Sequence, residues 1–162
     1  MSTRSTAGTV VQALVLLIAR LGFAVILVGR AWWRWGVEGM AAQTARIAEF
    51  GIPQAELIAW GTLLLEAIGG VLLALGLLTR LVAALVAVEN IIVIVIMRWA
   101  AGIHLFNGGF EYNLALASLG LVFLAVGASH AGLDAVLFRR RQLDASDPGS
   151  DLYQPRLGST QL

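Results

Sequence analysis

Four residues out of keeping with their surroundings carry most of the chemical information in this chain. Glu66 lies near the middle of residues 60–80, WGTLLLEAIGGVLLALGLLTR, a run long and apolar enough to cross a bilayer. Arg20 interrupts the apolar run 10–29, and Glu89 and Asn90 stand together at the centre of the run 81–97. A charge at the bilayer centre costs about 2.5–3.5 kcal/mol on insertion scales, so each needs a partner or must lose its charge. Within its own helix Arg20 has only Leu16, Leu17, Phe23 and Ala24 as neighbours, so its acid must come from another helix. At about 1.5 Å of rise per residue, Arg20, Glu66 and Glu89 all fall close to the midplane. The expectation is an Arg20–Glu66 ion pair with Glu89 and Asn90 close by. One cation against two acids would leave an excess negative charge, so Glu89 is expected to be held neutral. Such an acid could relay protons or meet a quinone headgroup; equally, Glu89 and Asn90 could only join helices or contact a partner subunit.

A second constellation occupies residues 98–113, RWAAGIHLFNGGFEYN. Trp99, His104, Phe106, Phe110, Glu111 and Tyr112 could together form a headgroup or quinone pocket. The alternative is a wet loop whose aromatics anchor at the interface. Two potential ligands are too few for a metal centre, and none is expected. The chain has no Cys, which removes disulfides, thiol redox chemistry and iron–sulfur ligation. All eleven basic residues are Arg, so Schiff-base chemistry is excluded, and nothing resembles a basic nucleic-acid face. No nucleophile elbow, phosphate loop or zinc motif occurs.

The elements that must position these residues follow from composition. Of the 162 residues, 59% are hydrophobic and only 13% charged, against about 25% charged in soluble domains. The mean hydropathy is +0.83. These values predict an all-α integral membrane four-helix bundle embedded in the lipid bilayer. Expected spans are residues 10–29, 57–78, 81–97 and 114–131, the last continuing through 133–138 to Arg139-Arg140-Arg141. A linker, 30–59, opens with Trp32, Trp33 and Trp35 and contains a surface amphipathic helix over 37–50, stopped by Gly51-Ile52-Pro53. Thr79-Arg80 reads as a tight turn that makes the second and third spans an antiparallel hairpin. Residues 1–9 form a short arm with no small-residue cleavage site after the apolar run, so the first helix is expected to be uncleaved. Residues 139–162 are a polar, loosely ordered tail.

Four spans put both termini on one side, with Arg4, Arg80, Arg139, Arg140, Arg141 and Arg156. The other side holds Arg30, Arg34, Arg46 and Arg98. The positive-inside rule then favours cytoplasmic termini. On this topology all five tryptophans fall at the outer ends of spans or in outer loops.

These residues resemble the DoxX family of small four-helix bacterial membrane proteins. Arg20 followed by Gly29-Arg30 fits it, as do Phe50-Gly51-Ile52-Pro53, Leu65-Glu66 with Gly69-Gly70, Gly76, Thr79-Arg80, His104, and Gly127 with Leu133-Asp134. The resemblance covers residues 14–137 and makes 10–138 a DoxX-like domain. Arg20, Glu66, His104 and Asp134 thereby become family positions. The resemblance implies a bacterial plasma-membrane protein of a kind often attached to oxidoreductase systems, including a small subunit of a thiosulfate:quinone oxidoreductase. The chain departs from the family at the polar Glu89-Asn90 and at Ala128-Ser129-His130, where a Gly-rich ending is usual. The first expectation is therefore a small integral subunit of a quinone-linked membrane oxidoreductase. It would have a larger membrane or peripheral protein as partner, no cofactor of its own, and quinone as a possible ligand. The alternatives are a non-catalytic scaffold or assembly subunit, and a small-solute or lipid transporter. The sequence leaves the oligomeric state open.

Overall fold

The computed structural model describes residues 6–127. Most of the terminal arm, the end of the fourth expected span, His130, Asp134, Arg139-Arg140-Arg141 and the tail lie outside them. The described residues are helices joined by turns and short irregular links, with no strand. Five α-helices follow in order: α1 (Thr6–Trp33), α2 (Met40–Ala48), α3 (Ala55–Leu75), α4 (Thr79–Val93) and α5 (Glu111–Val126).

Helix α1 runs past the expected end at residue 29. It passes directly into a π turn, Arg34–Glu38, and stops only at Gly39, whose φ of 81° suits a residue without a Cβ. No proline interrupts this stretch, and Gly29 alone costs only about 1 kcal/mol of helix propensity. Arg30 and Arg34, expected in a linker, therefore ride on one continuous helix and share a face four residues apart. Helix α4 is extended in the same way, by a π turn over Ile94–Arg98 and a 3₁₀ turn over Trp99–Ala101.

Helix α2 buries Gln43 and Ile47, and Ile47 packs with Ala55 and Ala59 at the start of α3. At its other end α3 closes with Gly76 at φ 69°, whose N–H donates to the Leu73 carbonyl while the Leu77 N–H reaches back to Leu72. These two bonds satisfy carbonyls that the helix end would leave open. The turn thus occupies residues 76–78 with Leu78 left-handed, and Thr79 and Arg80 open α4 instead of forming the turn themselves.

Packing divides the molecule into two storeys. In the half near the 76–78 turn the core is mainly apolar: Phe23, Leu27, Leu73, Val86, Leu116 and Phe123 are buried, with the Phe23 and Phe123 rings stacked at 6.0 Å, and Arg20 and Thr79 are the buried polar side chains. Polar side chains occupy the layer above it. Small residues let the helix pairs approach. A Cβ on Gly70 would lie 2.7 Å from Val28 Cγ2 and 3.0 Å from the Ala24 carbonyl; one on Gly120 would lie 2.8 Å from the Ala83 carbonyl. Outward faces are apolar, with Val25 at 71% exposure and Ile18 at 69%. Three helical stretches, Val10–Glu38, Ala55–Leu75 and Thr79–Ala101, are long and apolar enough to cross a membrane, and Glu111–Val126 is a shorter apolar helix.

Candidate functional site

Glu66 is fully buried in the middle of α3, on the stripe that includes Gly69 and Gly70. Its Oε1 lies 3.0 Å from Arg30 Nη2 and its Oε2 lies 3.1 Å from Arg34 Nη1. The same Arg34 nitrogen is 3.9 Å from Glu89 Oε1 on α4. Arg30 Nη1 also donates to Asn90 Oδ1 at 3.3 Å, and Asn113 Nδ2 in the first turn of α5 donates to the same oxygen at 2.9 Å. Asn90 Nδ2 returns to the Val86 carbonyl at 2.8 Å, and the Arg30 guanidinium stands 5.5 Å from the Tyr112 ring centre. One contact network thus ties α1, α3, α4 and α5. Replacing Asn113 with Ala should destabilise the protein by about 1–2 kcal/mol, the cost of a lost buried hydrogen bond. Denaturant unfolding in detergent measures it, and an unchanged midpoint would remove Asn113 from the network.

The expected Arg20–Glu66 pair is replaced by this arrangement, for a reason of register. Helices α1 and α3 are antiparallel, with Ala24 and Val28 against Gly70 and Arg30 against Glu66. Continuing that register carries Arg20, itself buried, towards the Gly76 end of α3, about 15 Å from the level of Arg30. The charge count changes too. Arg30 and Arg34 balance Glu66 and Glu89, so the cluster holds no excess negative charge. Guanidinium suits this role because its planar fork can serve two acceptors at once.

Neither oxygen of Glu66 or Glu89 receives an aligned hydrogen bond from the described residues, so charge more than directional bonding holds the cluster. For Glu66 two close guanidiniums compensate. Among the described residues Glu89 has only Arg34, at 3.9 Å. It forms part of the wall of a cavity of about 300 Å³ between α2, α3 and α4, otherwise lined largely by apolar side chains such as Ile58, Leu85, Val88 and Ile92. Arg34 and Gln43 complete the polar end of that cavity. A larger cavity of about 450 Å³ lies on the other side of Arg34, bounded by α1, α2, the end of α4 and the start of α5. Arg34, Gln43, Val93 and Met97 are common to both walls.

Of the outer constellation, only Tyr112 reaches this centre. His104 and Glu111 are exposed, Phe106 is fully so, and Trp99 stacks on Phe110 at 5.8 Å away from both cavities. Arg98 Nη1 donates to the Gly108 carbonyl at 2.7 Å and fastens the loop. Among the other expected positions, Gly29 borders the larger cavity, Gly69 faces Val82, Thr79 is buried, and Arg80 is exposed with Nη2 3.4 Å from the Ala125 carbonyl. Arg30, Arg34, Gln43 and Asn113 are the residues that sequence reasoning did not place in the site. The available signal was the four-residue spacing of Arg30 and Arg34 in phase with the apolar face of the preceding helix.

A family model described as DoxX matches residues 15–99, more than half of the chain. The match takes in most of α1 and all of α2 to α4, with Arg30, Arg34, Glu66 and Glu89, and it ends before His104 and α5. No curated protein and no solved structure matches the chain.

Proposed function

The chain belongs to the DoxX family of membrane proteins, and we propose that it is a four-span plasma-membrane subunit that binds a quinone for a larger oxidoreductase partner. In this reading α5 is the fourth span, α2 lies at the membrane surface, and both termini face the cytoplasm. The observation that carries the proposal is Glu89, whose two buried oxygens receive no aligned hydrogen bond from the described residues at the polar end of an otherwise apolar cavity.

That end offers complementary chemistry. Arg34 and Gln43 supply N–H donors for a ring carbonyl, and Glu89 supplies an acceptor for a ring hydroxyl. The apolar remainder lies between α3 and α4, where Ile58, Leu85, Val88 and Ile92 are each at least 39% exposed, so a prenyl tail could leave directly into lipid. A bound quinone would supply two-electron, two-proton chemistry. Glu66 acts as a positioning residue, because it fixes the Arg34 guanidinium from behind. With no redox centre proposed in the chain itself, electrons come from the partner.

The test is binding of decyl-ubiquinone and a short-chain menaquinone to the purified protein, by calorimetry in detergent. Saturable binding is expected for one of them, weakened about tenfold by Arg34→Gln, which removes a charged donor, and also weakened by Glu89→Leu. Absence of saturable binding to the native protein would overturn the proposal. The scaffold reading would then gain, and it rests on the exposed apolar loop residues Ile103, Leu105 and Phe106, which could seat a protein partner.

A further inference from the structure

The larger cavity has a charge imbalance that quinone binding does not use. Arg30, Arg34, Arg46 and Arg98 all border it, with Glu38 as the acid in its wall. Glu66 and Glu89 back Arg30 and Arg34, and Glu38 faces Arg46 at 3.1 Å. Among the described residues these make four guanidiniums against three carboxylates, an excess of one positive charge. The excess falls at Arg98, whose described hydrogen bond goes to a neutral carbonyl, Gly108 O. Each guanidinium carries five N–H donors in a planar fork, far more than these contacts use.

We infer that this cavity is a site for a singly charged phosphate group, held between Arg98 from the α4 side and Arg46 from the α2 side. The charge of the ligand follows from the excess of one. Its class follows from the donors, because guanidinium forks match tetrahedral oxyanions and form short, charge-assisted bonds with them. The volume of about 450 Å³ admits either a free dihydrogen phosphate or the phosphodiester headgroup of a lipid. The inference stands apart from the quinone reading, since neither Arg46 nor Arg98 borders the smaller cavity.

Full-length protein tests it with two probes. Inorganic phosphate is titrated in detergent and followed by tryptophan fluorescence, because Trp33 borders the cavity. Phosphatidylglycerol is offered beside phosphatidylcholine, and retained lipid is identified by native mass spectrometry. One probe or both should bind saturably, and Arg98→Gln and Arg46→Gln should each weaken binding about tenfold or more. Phosphate binding alone identifies a solute site, and selective retention of phosphatidylglycerol alone identifies a lipid site. Binding of neither probe overturns the inference, as does binding that both substitutions leave unchanged. Arg46 is 42% exposed at its side chain, so its replacement preserves the fold, and the melting temperature checks this.

Discussion

Glu66→Ala should lower the unfolding free energy by about 3–5 kcal/mol, the range found when one partner of a buried ion pair is removed. The loss is large because Glu66 is wholly buried and its carboxylate faces two guanidiniums on one helix, 3.0 and 3.1 Å away. Without it Arg30 and Arg34 are left as neighbouring positive charges, with Glu89 at 3.9 Å as the remaining acid. Native proteins are stable by about 5–15 kcal/mol in all, so the variant should unfold at much lower denaturant or fail to accumulate. Reversible unfolding in micelles gives the number. A double-mutant cycle with Arg30→Gln separates the pair from general disruption, and its coupling should be about 0.5–3 kcal/mol. A Glu66→Ala protein within 0.5 kcal/mol of the parent, at the noise of surface substitutions, would refute the assignment of the cluster as the centre of the bundle.

Gly120→Ala and Gly70→Ala should differ in a way that their chemistry alone does not suggest. Overpacking costs about 1–3 kcal/mol, and both positions should pay it. At Gly70 the nearest obstacle is the Val28 side chain at 2.7 Å, with the Ala24 carbonyl at 3.0 Å. Adding Val28→Ala should therefore recover part of the loss. At Gly120 the nearest obstacle is the Ala83 carbonyl at 2.8 Å, followed by Ala87 Cβ at 3.0 Å. Backbone cannot be trimmed, so Ala87→Gly should give little recovery. Thermal unfolding of the two single and two double variants decides the matter. Equal rescue at both positions would mean that the α1–α3 and α4–α5 contacts are softer than the packing indicates.

Much of this architecture was legible because the bilayer demands it. The apolar runs, the buried acid on α3, the Gly69-Gly70 stripe and the short α3–α4 connection all follow from residue type and spacing. What composition could not reveal was which arginine meets Glu66. Depth counting takes residue 29 as the end of a span and so pairs the acid with Arg20. The actual register depends on Gly70 seating against Ala24 and Val28, a three-dimensional fit invisible in a linear pattern. Arg30 and Arg34 look like ordinary interfacial anchors until α1 is known to continue through them. Asn113 was hidden for a related reason: it lies in what reads as a loop, yet α5 has already begun there and meets α4 at Asn90.

That meeting point has an electrical consequence. Asn90 is near the middle of the stretch Thr79–Ala101, so α4 and its extensions outrun α5 by roughly 15 Å at this end. Non-helical backbone at membrane depth persists only where protein covers it or where it lines an aqueous space. On the proposed four-span reading, the Arg-lined hollow beside α5 would open to water down to the level of Asn113. Most of the transmembrane voltage would then drop across the Phe23–Phe123 storey. A charge entering the hollow would reach Arg34, which also walls the Glu89 cavity, having crossed little of a field worth about 2.3 kcal/mol per charge per 100 mV, whereas one arriving from the opposite face would cross nearly all of it.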